Sequence, residues 1–161
     1  MDTSRYITDR RRLRHLITRL KYEKKRIVFT NGCFDIMHTG HTAYLEAAKA
    51  MGDTLIVGLN TDASVRAIKG SKRPINDEVS RASVLLSLRA VDYVCLFSEP
   101  TPLDIIKIVK PDTLVKGGDW DIKDIVGGDF VKTYHGSVVS IPVVNHVSTT
   151  QIIEKILKAY S

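Results

Sequence analysis

Residues 29–41 read Phe29-Thr30-Asn31-Gly32-Cys33-Phe34-Asp35-Ile36-Met37-His38-Thr39-Gly40-His41, and they place two histidines where a strand gives way to a helix. The β-branched apolar run 26–31 predicts the strand, and the composition of 42–51 predicts the helix. His38 and His41 are expected on the first turn of that helix, because residues three apart share a helix face. Free amides and the helix dipole attract anions at this end, so the imidazoles predict a phosphate site, with Gly40 leaving room for a ligand.

Two other interpretations of the histidines remain open at this point. His38, His41 and Cys33 could be metal ligands, although the only other cysteine, Cys95, lies far away inside an apolar run. Alternatively, the imidazoles could simply cap or pack the start of the helix. The segments that follow the other predicted strands bear on this choice.

Length and composition favour one domain in a reducing compartment. The chain has 161 residues, of which 43% are hydrophobic, enough for one full core and too few for two ordinary domains. No apolar stretch approaches the roughly 20 residues needed to span a bilayer, and the N-terminus has no apolar signal core. Two cysteines in unlike settings do not form a disulfide framework. We therefore expect a soluble, cytoplasmic protein with no membrane partner.

The positive charge is concentrated at the N-terminus. Residues 1–26 hold ten Lys or Arg and three Asp or Glu, a net of +7, so the other residues sum to −1 in a chain of net charge +6. Leu13, Leu16, Ile17 and Leu20 recur at helical spacing and predict an amphipathic basic helix, within residues 1–25, that packs on a domain formed by 26–161. A nearly neutral body argues against a nucleic-acid groove. We interpret the basic face as solvated rather than RNA-binding, with a helical contact between two copies as a further interpretation.

Strand and helix patterns alternate after that first helix. The predicted strands are 26–31, 54–60, 93–97, 113–115 and 137–141, and the predicted helices are 42–51, 62–68, 77–88, 102–109 and 148–159. This alternation predicts an α/β fold with a doubly wound, parallel, five-stranded sheet. Ligands of such sheets bind beyond the carboxyl ends of the strands, where the strand order reverses. Polar segments follow every predicted strand, at 31–41, 60–62, 97–101, 116–120 and 142–150.

The common phosphate and hydrolase motifs are absent. The chain contains no G-x-x-x-x-G-K-[ST] loop and no G-x-G-x-x-G after a strand, which disfavours P-loop kinases and standard dinucleotide dehydrogenases. It also lacks the G-x-S-x-G turn of many serine hydrolases.

Five segments together resemble a known family. They are His38-Thr39-Gly40-His41, Leu59-Asn60-Thr61-Asp62-Ala63-Ser64, Lys69-Gly70 with Arg73-Pro74, Leu114-Val115-Lys116-Gly117-Gly118-Asp119-Trp120, and Ser148-Thr149-Thr150 ahead of Ile152-Ile153. The chain resembles the His-x-Gly-His nucleotidyltransferases, which have a Rossmann-like fold, and in particular the heptose 1-phosphate adenylyltransferases of the ADP-heptose pathway. The resemblance runs from about residue 26 to the end. Bifunctional relatives carry a fused sugar kinase, which 161 residues cannot contain, so a stand-alone adenylyltransferase is implied.

The resemblance implies transfer of AMP from ATP to a heptose 1-phosphate, giving ADP-heptose and pyrophosphate for lipopolysaccharide or another surface glycan. An anionic phosphate oxygen is already a nucleophile, so the reaction needs alignment and charge stabilisation rather than a dedicated base. We expect His38, His41, Lys69 and Arg73 to be catalytic. Mg²⁺ is expected to arrive with ATP, and no protein ligands for it are evident.

The remaining expected site residues fall into two groups. Those expected to bind the nucleotide are Thr30, Asn31, Gly32, Cys33, Phe34, Asp35, Gly40, Lys116, Gly118, Asp119, Ser148, Thr149 and Thr150, and those expected to bind the sugar phosphate are Asn60, Asp62, Arg81 and Trp120.

Several of these residues have structural alternatives. Ser148 could only cap the last helix, and Asp35 could anchor its loop instead of contacting ribose. Lys72 is interpreted as a solvated cation, and Gly127-Gly128-Asp129 as the start of a helix. Asn145-His146-Val147 departs from the Gly-containing stretch of the relatives, which leaves the shape of that loop open.

Two rival functions compete with the adenylyltransferase. A cytidylyltransferase acting on glycerol phosphate shares the histidine signature, whereas Lys116-Gly117-Gly118-Asp119-Trp120 favours the heptose enzymes. A nucleic-acid-binding module would instead use the basic first helix. A homodimer is the default expectation for assembly.

Overall fold

The computed structural model describes residues 3–118, 120–142 and 148–160. The strands are β1 (Tyr6–Ile7), β2 (Ile27–Gly32), β3 (Thr54–Asn60), β4 (Tyr93–Phe97), β5 (Thr113–Gly117) and β6 (Ser137–Ile141). The helices are α1 (Arg10–Tyr22), α2 (Thr39–Lys49), α3 (Asp62–Lys69), α4 (Glu78–Ser87), α5 (Leu103–Val109), α6 (Gly128–Lys132) and α7 (Thr149–Tyr160), with a 3₁₀ turn at Ile122–Asp124.

The strands form one parallel sheet in the order β1-β4-β3-β2-β5-β6. The chain builds outward from β2 through β3 to β4, and α5 then crosses back so that β5 pairs with the other side of β2. The strand order therefore reverses between β2 and β5, whose carboxyl ends lie side by side. This confirms the predicted doubly wound α/β fold.

Helices cover both faces of the sheet because β2, β3 and β5 alternate their buried side chains between two cores. Phe29 packs in a core with residues of α1, α5 and α6, and its neighbour Val28 packs in the other with residues of α2 and α4. All seven residues of β3 are buried, as expected for a central strand of a parallel sheet.

The prediction of five strands is one too few for the sheet, which has six strands in the part of the chain that the structure describes. Tyr6 and Ile7 form a sixth, edge strand that pairs in register with Val94 and Cys95 of β4. Two residues are too short to show any periodicity, so only their pairing with β4 defines them as a strand. The prediction omitted the 3₁₀ turn and gave no extent for α6, but α6 begins at Gly128, as the interpretation of Gly127-Gly128-Asp129 as a helix start predicted.

The N-terminal helix has the predicted amphipathic character. Leu13, Leu16, Ile17 and Leu20 are buried in the core that α1 shares with α5, and the Asp9 side chain caps the helix by accepting from the Arg11 amide at 2.9 Å. The division into residues 1–25 and 26–161 stays a prediction. In the described parts of the chain, every helix is too short or too polar to cross a bilayer.

Candidate active site

A two-lobed cleft opens at the carboxyl ends of β2 and β5, where the strand order reverses. The histidine lobe has a volume of about 330 Å³ and is lined in part by His38, Gly40, His41, Tyr44 and Gly117. The loop lobe has a volume of about 510 Å³, and its lining includes Asp35, Asn60, Ile68, Lys69, Arg73, Phe97, Pro100, Pro102, Trp120 and Thr150. The lobes are continuous because they share Asn31, Gly32, Cys33, Phe34, His41, Lys116, Ser148 and Thr149.

The two histidines stand together at the start of α2. His38 is the N-cap residue rather than a first-turn residue, and His41 lies on the first turn. Their ring centroids are 3.9 Å apart, and the ring planes are inclined by 32°. Both Nδ1 atoms are buried, and within the described residues neither has a hydrogen-bond partner. Two unpaired polar atoms on adjacent rings at a helix N-terminus favour a ligand-binding role over simple capping.

Burial disfavours the protonated form of both imidazoles when no ligand is present. It lowers the pKa of His41 to about 4, with a smaller contribution from the neighbouring His38. Burial also lowers the pKa of His38. A polyphosphate beside the rings would offset this effect, because nearby negative charge favours the protonated form.

Asp35 anchors the loop between α3 and α4 to the segment before α2. Its fully buried carboxylate accepts from Arg73 Nε at 2.6 Å and from the Ile75 and Asn76 amides at 2.9 Å. Burial alone would raise the pKa of Asp35, but the hydrogen bonds from Asn76, Ile75 and Arg73 outweigh it and lower the pKa. This geometry favours the anchoring interpretation of Asp35, and it holds Arg73 at the wall of the loop lobe.

Arg81 lies in the interior rather than in the cleft. Its side chain is fully buried and donates to the carbonyl oxygens of Asn76 at 3.0 Å, Cys33 at 2.6 Å and Asn60 at 2.9 Å, and to Asp62 Oδ1 at 2.7 Å. Two residues expected to bind the sugar phosphate, Arg81 and Asp62, thus bind each other. The placement favours a positioning role for this pair, because Arg81 ties together the segments that follow β2 and β3.

Thr30 is also placed differently from the prediction. It is fully buried, and its hydroxyl shares a 2.5 Å hydrogen bond with the Tyr44 hydroxyl, which also lies 3.3 Å from the Val115 carbonyl oxygen. These contacts join β2, α2 and β5, and they favour a structural role for Thr30. Tyr44 itself lines the histidine lobe and was missed by the prediction, although its spacing of three from His41 places it on the same helix face.

The end of β5 carries the cation that lies between the two lobes. Lys116 contributes to both, and burial lowers its pKa. Its Nζ is 5.8 Å from the ring centroid of the half-exposed Trp120. Gly118 has a φ of +113°, a conformation that L side chains rarely adopt, and it follows the last residue of β5. Asp119 and the Asn145-His146-Val147 segment lie outside the described residues.

The start of α7 forms a further part of the cleft wall. Ser148 and Gln151 form a reciprocal capping pair, in which Ser148 Oγ accepts from the Gln151 amide at 3.2 Å and Gln151 Oε1 accepts from the Ser148 amide at 2.8 Å. Thr149 Oγ1 donates to the Ile36 carbonyl oxygen at 3.2 Å. Ser148 therefore caps the helix, and the same helix start lines both lobes.

Residues 29–155 match the family model described as cytidylyltransferase-like. The chain belongs to the cytidylyltransferase-like family. It is 49% identical over 160 residues to the bifunctional protein HldE of Trichlorobacter lovleyi, covering 99% of this chain and 33% of that protein. It is 54% identical over 140 residues to HldE of Geobacter metallireducens, covering 87% of this chain and 29% of that protein. The chain thus spans about a third of the length of these curated relatives.

Solved structures agree with the family. The lipopolysaccharide core biosynthesis protein of Thermoplasma volcanium superposes with a TM-score of 0.62 at 30% identity, covering 76% of this chain and 99% of that one. Pantothenate synthetase of Thermus thermophilus has a TM-score of 0.67 at 15% identity, which shows a shared fold alone. The family match and the HldE relatives confirm the predicted family and the predicted class of enzyme, a nucleotidyltransferase.

The cleft of this nucleotidyltransferase is lined by hydrogen-bond donors and cations. Lys69, Arg73 and Lys116 line it with the two imidazoles, and its Asp35 carboxylate is already engaged. Burial raises the pKa of the Cys33 thiol, which keeps it protonated and a poor metal ligand. Over the described ranges, no three His, Cys, Asp or Glu side chains are close enough together to hold a metal ion. The lining suits a polyanion.

The prediction missed part of the loop lobe. Phe97, Pro100 and Pro102 line it although none was proposed as a site residue. The signal available in the sequence for Phe97 and Pro100 was their position, because 97–101 lies at the carboxyl end of a predicted strand, and Pro102 follows that segment directly. Apolar side chains and prolines carry no chemistry of their own, so residue type could not identify them.

Proposed function

We propose that this protein transfers AMP from ATP to a heptose 1-phosphate, giving ADP-heptose and pyrophosphate. The observation that carries the proposal is the continuous two-lobed cleft, in which paired imidazoles, Lys116 and a helix N-terminus surround space for two anionic substrates. The similarity to HldE proteins along nearly the whole chain and the lipopolysaccharide core neighbour support the heptose assignment. A family described as cytidylyltransferase-like keeps CTP and glycerol phosphate as the second candidate pair.

In this proposal each lobe receives one substrate. The nucleotide occupies the histidine lobe, with its triphosphate against the start of α2 and the start of α7. The sugar phosphate occupies the loop lobe, where Lys69 and Arg73 neutralise its charge. An oxygen of the sugar phosphate then attacks the α-phosphorus. The bond from that phosphorus to the bridging oxygen breaks, and pyrophosphate leaves with the bonding pair.

The residues of the chain stabilise charge in this step and need not accept a proton. The attacking oxygen is anionic already, so alignment in the cleft provides most of what catalysis requires. His38, His41 and Lys116 lie where donors can offset the charge that builds on the departing pyrophosphate. The buried, unpaired Nδ1 atoms of both histidines are the polar groups that a bound triphosphate would satisfy.

The proposal includes Mg²⁺ as part of the nucleotide substrate. The described cleft offers cationic and neutral donors rather than free carboxylates, which fits a Mg²⁺ ion held by triphosphate oxygens and water. The ion would neutralise phosphate charge. The proposal also includes a cytoplasmic location and a homodimer, since two-fold dimers are the commonest oligomers.

A substrate panel tests the proposal. The purified protein is incubated with each of four nucleoside triphosphates and with a set of sugar 1-phosphates and glycerol 3-phosphate, and pyrophosphate release is followed. We expect rapid release only with ATP and a heptose 1-phosphate, with ADP-heptose identified by mass. Rapid release confined to CTP and glycerol 3-phosphate would replace this function with the cytidylyltransferase.

A further inference from the structure

Residues 5–10 lie along the exposed edge of β4, and they precede the part of the chain that matches the family model, 29–155. Tyr6 and Ile7 pair with β4, and an arginine flanks the paired residues on each side. Arg5 donates from Nε to the Asp92 carbonyl oxygen at 2.8 Å, and from Nη2 to that of Val91. These contacts hold the segment at the amino end of β4, away from the cleft.

Arg10 makes the corresponding contacts at the carboxyl end of β4. Its Nη2 donates to both carboxylate oxygens of Glu99, at 2.8 and 2.9 Å, and its Nη1 donates to the Leu96 carbonyl oxygen at 3.3 Å. Glu99 Oε2 also accepts from the Ser98 amide at 3.0 Å. One guanidinium therefore hydrogen-bonds both to the end of β4 and to the loop that follows it. Each side chain of the pair is 33% exposed, so the contact is partly shielded from water.

The loop that Arg10 holds forms a wall of the loop lobe. Pro100 is the residue after Glu99, and both Pro100 and Pro102 line this lobe with Lys69 and Arg73. Pro102 is also the N-cap residue of α5, so the loop is fixed at its far end by a helix. Between β4 and α5, the hydrogen bonds that Glu99 accepts from Arg10 tie the loop to the N-terminal segment.

We propose that Arg10 is a positioning residue for the sugar phosphate: through Glu99 it holds the 98–102 loop as a wall of the loop lobe. The inference rests on the proposed function only in naming the sugar phosphate as the occupant of that lobe. Arg10 contacts neither substrate itself. The basic N-terminal segment thus has a function in the site, in addition to burying apolar residues of α1.

Steady-state kinetics of Arg10→Ala and Arg11→Ala test this role. Arg11 is the matched control, because it is exposed, lies next to Arg10 on α1, and donates its backbone amide to the Asp9 side chain. We expect Arg10→Ala to raise the KM for the sugar phosphate about tenfold, because the loop that lines its lobe loses its charged hydrogen bonds to Arg10. The KM for ATP should stay within about twofold of the control. An equal rise in both KM values, or values matching Arg11→Ala, would overturn the inference.

Two further variants separate positioning from general destabilisation. Arg10→Lys should recover part of the KM, since an ammonium can pair with Glu99 but lacks the fork that also reaches Leu96. The exchanged pair Arg10→Glu with Glu99→Arg should recover more activity than either single change. If both variants remain as impaired as Arg10→Ala, the ion pair is not what positions the loop.

Hydrogen exchange keeps the inference testable if the proposed function fails. If the wild-type protein releases no pyrophosphate with any sugar phosphate, the proposed function is refuted, but the Arg10–Glu99 contact can still be measured. The amides of Ser98, Glu99 and Thr101 should exchange faster in Arg10→Ala than in Arg11→Ala. Identical exchange in the two variants would show that Arg10 does not hold this loop.

Discussion

Replacing Arg81 by methionine tests how the cleft is supported. The substitution keeps a long side chain on α4 and removes a guanidinium that donates to four oxygens at 2.6 to 3.0 Å. It leaves the Asp62 carboxylate without its partner, and it leaves the carbonyl oxygens of Cys33, Asn60 and Asn76 each short of a donor. The Arg81 side chain is fully buried, whereas that of Asp62 is 23% exposed, so water can compensate only part of the loss.

The expected loss of stability follows from this geometry. Breaking a buried ion pair by removing one partner costs about 3–5 kcal/mol. Because Asp62 retains access to water, we expect the lower part of that range, about 3–4 kcal/mol in the free energy of unfolding. Domains are stable by about 5–15 kcal/mol, so the variant should fold at 25 °C, with a melting temperature lowered by roughly 6–16 °C.

Urea titration followed by far-ultraviolet circular dichroism measures the effect, with Arg89→Met as the matched control. The Arg89 side chain is 94% exposed and pairs with Glu46 at 3.6 Å, so its replacement should cost less than about 0.5 kcal/mol. If the free energy of unfolding of Arg81→Met lies within about 1 kcal/mol of that of Arg89→Met, the buried Arg81–Asp62 pair does not support the fold as argued. If Arg81→Met keeps the stability of the wild type but no longer releases pyrophosphate, the prediction that Arg81 contacts the substrate directly is favoured instead.

Four further outcomes are expected. His38→Ala and His41→Ala should each lower kcat about 10²- to 10³-fold, as removal of a charge-stabilising donor does, and ordinary turnover in both would refute their role. Burial lowers the pKa of His41 to about 4 from 6.5, so the unfolded chain takes up the proton first as the pH falls. The stability of the ligand-free protein should therefore fall as the pH drops from about 6.5 towards 4. If the urea midpoint of His41→Phe drops by the same amount over this pH range, His41 is not the cause. Because burial opposes the charge of Lys116, Lys116→Met should keep the melting temperature of the wild type. The same variant should raise the KM for ATP about tenfold, and an unchanged KM would place this cation outside the site. Gly118→Ala should lose about 1–3 kcal/mol, because φ is +113° and the added Cβ would lie 3.2 Å from the Trp120 ring; an unchanged melting temperature would show that the turn relaxes.

Most helices and strands could be predicted because the spacing or composition of apolar residues within each one is typical of its type. The predicted strands 54–60, 93–97 and 137–141 match β3, β4 and β6 residue for residue. The predicted start of α2, Thr42, is three residues too late, because the helix begins at Thr39 although Thr39-Gly40 has no helical composition. The two-residue β1 carried no periodic signal.

The candidate site could be predicted in position more readily than in detail. The motif at the end of β2, Gly117 at the end of β5 and the start of α7 do meet in one cleft, at the edge of the sheet where ligands of doubly wound folds bind. For Arg81 and Thr30 the structure favours structural roles over the predicted ligand contacts. A cation and a hydroxyl near a phosphate motif both suggest ligand contact, yet each is buried against protein oxygens.

Local sequence patterns were enough to predict the alternation of strands and helices, the pair of imidazoles at a helix start, and the donors that follow the strands, because these depend on neighbours a few residues apart. Long-range contacts were needed to establish that β5 pairs beside β2, that Arg81 faces inward to Asp62, and that Arg10 reaches Glu99 across 89 positions of chain. Burial and pairing depend on which distant segments meet, and no local pattern encodes them.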